Sequence, residues 1–232
     1  MKTILIVAAH PDDEVLGCGG VASRFSENGD LIHVLILGEG ITSRKSERNL
    51  QFDNTELNRL KSEAKEASAI IGAKSITILN FPDNRFDSVD LLDIVKTIEK
   101  KIDEINPQTI FTHHAHDLNI DHQITFQAVI TACRPMKNSC IREVYSFEIP
   151  SSTEWQSQTK DCAFLPTQYI EINKKHLERK ITAMQRYTSE IREYPHPRSI
   201  KALKLLAEWR GVNIGANYAE AFEAIRRIDR IL

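Results

Sequence analysis

Ile4-Leu5-Ile6-Val7-Ala8-Ala9-His10-Pro11-Asp12-Asp13-Glu14 begins as an unbroken apolar run and ends in an acidic cluster, with Leu16-Gly17-Cys18-Gly19-Gly20-Val21-Ala22 close behind. The run reads as a buried strand, Lys2 to Ala9, and the residues after it as a helix from about Asp13 to Asn28. Asp30 leads into Leu31-Ile32-His33-Val34-Leu35-Ile36-Leu37, a second strand that Gly38 stops. Together these make a βαβ unit. A polar stretch, Glu39 to Thr55, precedes a long amphipathic helix ending near Ile71-Gly72, where the glycine serves as a helix stop. Strands are then predicted at Ser75 to Leu79, Thr109 to Thr112 and Glu143 to Ile149, with helices at Leu91 to Ile105 and Asp121 to Cys133. From Asn173 onward the spacing is mostly helical, broken at Tyr194-Pro195-His196-Pro197. Strand, crossover helix and parallel strand in repetition predict an α/β fold: a Rossmann-like, mostly parallel sheet flanked by helices on both faces, with a helical C-terminal portion.

The 232 residues, 41% hydrophobic and 27% charged, suffice to bury one full core, so a single domain over 1–232 is expected. A formal charge of −2 with both signs interleaved offers no broad positive field, which argues against a nucleic-acid backbone as partner. Cys18, Cys133, Cys140 and Cys162 are widely spaced and lack a Cys-x-x-Cys pair, so they read as reduced thiols. No apolar stretch approaches the roughly 18 residues that span a bilayer, and the N-terminus lacks a signal-peptide apolar region. A cytoplasmic protein with no membrane partner is expected.

Two acidic clusters that carry histidine follow strands: His10-Pro11-Asp12-Asp13-Glu14 and His116-Asp117-Leu118-Asn119-Ile120-Asp121-His122. In an open α/β sheet, ligands gather at the carboxyl ends of the strands, so the clusters read as two halves of one metal site. His10 and Asp13 straddle a strand-to-helix turn and can reach one ion, and His122 can add a third ligand from the neighbouring strand end. Two histidines and one carboxylate suit catalytic zinc, and iron or manganese also tolerates that set. Asp12 beside it is placed to act as general base on water acidified by the cation. Taken singly, Asp12 or Glu14 reads equally well as a helix N-terminal cap. His33, inside an apolar run, reads as a packing residue.

Ala9-His10-Pro11-Asp12-Asp13-Glu14 with Leu16-Gly17-Cys18-Gly19-Gly20, then Asp121-His122, and finally Ala219-Glu220-Ala221-Phe222 resemble the PIG-L (LmbE-like) zinc-dependent N-deacetylases over nearly the whole chain. The resemblance implies His10, Asp13 and His122 as ligands of one Zn2+ per chain, with Asp12 as base. It also implies removal of the acetyl group from an N-acetylated amino sugar or its conjugate, and assembly as a trimer or hexamer. Many relatives carry histidine where this chain has Asn119, so either Asn119 donates a hydrogen bond to the oxyanion or another histidine serves. His196, flanked by Pro195 and Pro197 beside Arg198, is the candidate, although the same turn also reads as a plain helix entry.

Asp121 and Asp117 are expected to hydrogen-bond histidines and fix their tautomers, with Asp121 counted among the catalytic residues. Of His113, His114 and His116, at least one is expected to lie outside the pocket. By resemblance Arg44 and Asp83 match substrate-contacting positions. Arg198 reads as a fork for a substrate anion or as a partner of Glu190 or Glu193. Ser151 to Trp155 resembles a lid with an aromatic able to stack on a sugar, or else a buried tryptophan. Leu203, Leu205, Leu206 and Trp209 read as an oligomer face or as core. Three other functions remain: a deacylase for another acylamino conjugate such as a thiol-precursor glycoside, a metal-dependent sugar binder without catalysis, and a phosphate-cradling module built on Gly17-x-Gly19-Gly20.

Overall fold

In the computed structural model, residues 1–42, 54–137 and 139–229 are described. Five parallel strands, β1 (Thr3–Ala8), β2 (Leu31–Gly38), β3 (Ser75–Phe81), β4 (Thr109–His113) and β5 (Glu143–Phe147), form most of one sheet. Two more, β6 (Gln168–Ile172) and β7 (Tyr218–Arg227), complete it in the order β3-β2-β1-β4-β5-β7-β6, with β7 antiparallel to both neighbours. The strand order reverses between β1 and β4, which leaves a crevice at their carboxyl ends.

The alternation of side chains along β1 explains why both faces are covered. Ile4, Ile6 and Ala8 enter one core cluster, and Leu5, Val7 and Ala9 enter the other. The first cluster is closed by α1 (Asp13–Glu27), α2 (Asn54–Ile70), α5 (Lys174–Met184) and α6 (Ile200–Val212). The second is closed by α3 (Leu91–Ile105) and α4 (Ile120–Ala132). In α3, Ile94, Val95, Ile98 and Ile102 form the buried stripe, and Asn106 ends the helix in the left-handed region at φ 48°. Each fully buried Ile, Leu or Val contributes about 1.5–3 kcal/mol, so β1, nearly solvent-free throughout, anchors the centre of the fold.

The predicted elements correspond closely to those observed, with two additions, the strands β6 and β7. The helical C-terminal portion comprises α5 and α6, but Ala219-Glu220-Ala221-Phe222 lies in a strand rather than a helix. Alanine and glutamate favour helix locally. Pairing with β5 on one side and β6 on the other outweighs that preference. Glu220 and Phe222 consequently face α1, while Glu223 reaches His114 and Ser146 on the opposite face. Among the described residues no helix is long and apolar enough to cross a membrane.

Candidate metal centre and cleft

The chain leaves β1 at Ala8 and turns sharply into α1, and Asp12 occupies the turn at φ 106°, ψ −29°, a conformation rare outside glycine. Several bonds hold it there. The Asp12 N–H donates to Glu14 Oε2 at 3.1 Å, and the Asp12 carbonyl accepts from Val15 and Leu16. Tyr187, fully buried after α5, donates its hydroxyl to Glu14 Oε1.

His10 and His122 converge on Asp13. The His10 N–H donates to Asp13 Oδ2 at 2.8 Å, His10 Nδ1 lies 3.5 Å from that oxygen, and His122 Nε2 lies 3.3 Å from it. One ligand atom from each of these residues falls within 4.8 Å of the others. The far nitrogen of each ring meets a carboxylate, His10 Nε2 at 2.8 Å from Asp121 Oδ2 and His122 Nδ1 at 3.0 Å from Asp117 Oδ1. Carboxylates only accept, so they would keep protons on those nitrogens and leave the near ones to give lone pairs to a cation beside Asp13. Asp13 Oδ1 is buried with no hydrogen-bond partner. Two lone pairs and a carboxylate gathered in a dry site suit a divalent cation, and a two-histidine, one-carboxylate set fits zinc.

The carboxylates behind the rings are themselves held. Asp121 accepts the backbone N–H groups of Asn84 at 2.6 Å and Phe86 at 2.9 Å. Asp117 accepts from the Asn119 N–H at 2.9 Å and from the hydroxyls of Ser152 and Thr153. Asp83 Oδ1 lies 3.3 Å from His10 Nε2, on the side of that ring away from Asp13.

Charge and burial set the protonation of this cluster when no cation neutralises it. Burial lowers the His10 pKa, but the Asp121 and Asp13 carboxylates outweigh it and raise it well above normal. His122 is likewise opposed by burial and raised by Asp13 and Asp117, to about 9. Burial pushes the Asp13 carboxyl upward, yet His122, His113 and the bond from His10 bring it well below the usual range. Asp12 goes the other way: burial raises it well above normal, Arg198 pulls it down, and Asp13, Glu190 and Glu14 push it up again. Burial raises Glu14 to about 7 against the pull of Tyr187.

His113 stacks on His122 with ring centroids 4.0 Å apart, and its Nε2 accepts the Ala9 N–H at 2.8 Å. Burial and the charge of His122 hold its pKa well below normal, so it packs as a neutral ring. His114 binds Glu223 and the Cys162 carbonyl, and His116 is exposed.

A cleft of about 150 Å³ opens over these groups, lined by His10, Pro11, Asp12, Gly40, Asp83, Asn84, Asn119, Glu190 and Arg198. Its volume is below the roughly 300–1,000 Å³ of pockets that enclose drug-sized ligands, which suits a small polar group. A larger cavity of about 400 Å³ opens beside Lys2, Arg24 and Arg227 and contains none of the residues just described.

The sequence-predicted residues fall as follows. His10, Asp12, Asp13, Asp83, Asn119, Asp121, His122 and Arg198 come together at or just beneath the cleft. Asn119 Oδ1 caps α4 by accepting the Asp121 N–H at 2.8 Å, which leaves its amide NH2 as the group to face a ligand. Arg198 Nη1 meets Asp12 Oδ2 at 2.8 Å and Glu190 Oε2 at 3.3 Å, and its Nε donates to Ser151 Oγ at 2.7 Å. His196 does not line the cleft. Its Nδ1 accepts the Arg198 N–H and its ring meets Trp155 edge-on, because the turn before α6 sends Arg198 inward and His196 outward. Arg44 lies outside the described residues.

Ser151, Ser152 and Thr153 are bonded to Arg198 and Asp117, so only the end of the expected lid stands free, with Trp155 54% exposed. Leu203 is core, whereas Leu205 and Trp209 are exposed. Glu190 takes the place the sequence allowed it as a partner of Arg198. Tyr187 was not anticipated, because no local spacing marks it and only the folded C-terminal third brings it to Glu14.

A family model described as "PIG-L: GlcNAc-PI de-N-acetylase" matches residues 5–133, more than half of the 232 residues. The chain is 28% identical over 193 residues to an uncharacterized deacetylase, YaiS, of Escherichia coli K12, covering 81% of this chain and 91% of that one. It is 28% identical over 137 residues to a probable N-acetyl-alpha-D-glucosaminyl L-malate deacetylase 2 of Bacillus cereus, covering 58% and 62%. Among solved structures, the 4-carboxy-2-hydroxymuconate hydratase GalB of Pseudomonas putida KT2440 shares the fold with TM-score 0.75 and 22% identity, covering all of both chains. The N,N'-diacetylchitobiose deacetylase of Pyrococcus horikoshii does so with TM-score 0.74 and 18% identity, covering 97% of this chain and 84% of that one. The family match covers most of β1 and all of β4 with the acidic turns that follow them, the segments that carry His10, Asp13 and His122, and the chain belongs to the PIG-L family.

Proposed function

We propose that this protein is a metal-dependent hydrolase that removes the acetyl group from an N-acetylated amino sugar or its conjugate. The observation that carries the reading is the convergence of His10, Asp13 and His122, with the Asp12 carboxylate beside them in the same cleft. Deacetylase names among the relatives support amide hydrolysis, and N-acetylglucosaminyl malate is the substrate that one of those names specifies.

His10 Nδ1, Asp13 and His122 Nε2 would hold a divalent cation, zinc by the chemistry of the donors. When bound, it supplies a Lewis acid for the acetyl carbonyl and acidifies water. Asp12 takes the proton of the attacking water and delivers it to the leaving amine nitrogen. Its raised pKa suits both steps, and Arg198 holds the carboxylate in place. The Asn119 NH2 donates to the oxyanion of the tetrahedral intermediate. Asp83 receives a sugar hydroxyl, and exposed Trp155, packed edge-on against His196, offers a face to the ring. His196 acts from behind by holding the Arg198 backbone. A His196→Ala protein with unchanged turnover removes that role.

The volume of the cleft fits an acetamide end with the remainder of the substrate outside, consistent with a conjugated sugar. Exposed Leu205 and Trp209 on α6 support assembly as a trimer or hexamer, and four free cysteines fit the cytoplasm. The test is acetate release from a panel of N-acetylglucosamine derivatives, including the malate glycoside. Release should vanish with chelator and return with zinc. A cation bound without acetate release from any member would favour the second reading, a metal-dependent sugar binder, for which Asn119 in place of histidine speaks.

A further inference from the structure

An uninterrupted α1 would bond the Gly20 N–H to the Leu16 carbonyl, four residues back. Here Cys18, at φ −150° and ψ 23°, leaves the helical region and divides α1 into a first turn that carries Asp13 and a longer segment ending at Glu27. The two groups that would form that rung are both bonded to other residues. The Gly20 N–H donates to Glu220 Oε1 at 3.1 Å and the Val21 N–H to Glu220 Oε2 at 2.6 Å. The Leu16 carbonyl accepts from Lys180 Nζ at 2.8 Å, and Lys180 Nζ donates to Glu220 Oε1 at 2.6 Å. An ion pair has been inserted into the helix where one hydrogen bond would be.

Both charges are buried, at 4% and 5% exposure, so water contributes little to their solvation. Each stands at the favourable end of a helical segment, the carboxylate at an N-terminus and the ammonium at a C-terminus. The glycines make room for it. A Cβ on Gly20 would lie 2.7 Å from Ile172 Cδ1 and 3.2 Å from the Glu220 carboxylate.

The pair also communicates with the cleft. Leu16, whose carbonyl Lys180 holds, donates its own N–H to the Asp12 carbonyl at 2.9 Å. One residue, Leu16, therefore links Lys180 on α5 to the strained turn at Asp12. We propose that the Lys180–Glu220 pair is a positioning device: by replacing the Leu16–Gly20 rung, it sets the angle at which the Asp12-Asp13 turn meets the far half of α1. The inference rests on the reading of His10, Asp13 and His122 as a cation site, and it gives Gly17-Cys18-Gly19-Gly20 and Ala219-Glu220-Ala221-Phe222 a shared purpose.

The test uses Co2+ as probe on the full chain, reading its affinity and visible absorption spectrum together with amide hydrogen exchange across residues 12–17. Lys180→Met/Glu220→Gln removes both charges at similar volume and leaves neither unpaired. It should bind Co2+ about tenfold more weakly, with an altered spectrum and faster exchange at 12–17. Glu27→Gln weakens a different attachment of α1 to α5, through Lys175 and His176, and should lower thermal stability while leaving all three readouts at parental values. Parental affinity, spectrum and exchange in the double variant would overturn the proposal. If that variant does not fold, Glu220→Asp, which keeps both charges and shortens the reach, carries the same test with the same two outcomes. His122→Ala distinguishes the failures: Co2+ binding that survives it would sink the cation site itself, and this inference with it.

Discussion

Arg198 Nη1 lies 2.8 Å from Asp12 Oδ2, so the proposed general base is tethered to an arginine 186 residues along the chain. The arginine opposes the effect of burial on Asp12. In Arg198→Ala that opposition is gone and the Asp12 pKa rises further. A base must be deprotonated, so the acid limb of kcat/KM against pH should move to higher pH. An unshifted limb would show that Asp12 is not the group titrating there.

Cation uptake should release protons. His122, at about 9, is protonated at pH 7 and must give up that proton to offer its Nε2 lone pair. The folded value exceeds the usual 6.5, so protonation stabilises the cation-free protein below about pH 6.5, and that contribution is lost as pH rises through 9. Calorimetric titration with zinc in two buffers of different ionisation enthalpy should find at least one proton released at pH 7 and fewer above 9. Uptake independent of buffer at pH 7 would contradict the arrangement.

Tyr187→Phe should cost about 1–3 kcal/mol, the usual penalty for leaving a buried acceptor unpaired. The hydroxyl lowers the pKa of Glu14 by favouring its ionised form, so its loss raises that pKa above about 7. The deficit should therefore be larger at pH 8 than at pH 6 in urea unfolding. Equal losses at the two pH values would remove Glu14 as the cause.

Gly17→Ala tests the glycine motif without touching a charge. An added Cβ would fall within 2.8 Å of three atoms of the Phe147 ring, which is fully buried beneath β5's end. Overpacking of this kind costs about 1–3 kcal/mol, and a denaturant midpoint lowered with unchanged slope would register it. A fully stable Gly17→Ala protein would instead revive the reading of these glycines as a phosphate cradle.

The parallel half of the sheet was legible because β1 and β2 carry apolar residues on both faces, a pattern that survives without any knowledge of partners. The cluster of His10, Asp13 and His122 was legible for a related reason: each sits in an acidic motif on the strand-to-helix connection that follows β1 or β4. The bond between Asp121 and the His10 ring follows the expectation, and Asp117 lies 3.0 Å from the His122 ring. What escaped notice depends on long-range pairing. Tyr218–Arg227 carries helix-favouring residues that two flanking strands override, and Tyr187 belongs to no local pattern. Arg198 was noticed, and Glu190 was one of its two suggested partners, but nothing in its neighbourhood pointed to Asp12, 186 residues away.

The place of β7 between β5 and β6 orders events during synthesis. Gly20 waits for a carboxylate 200 residues downstream, so a nascent chain with both acidic motifs already outside the ribosome still lacks Glu220. Until the last strand is translated and slots in, β5 presents an open edge of the kind that invites pairing with other chains, and assembly of the helix break must follow rather than precede completion of the sheet.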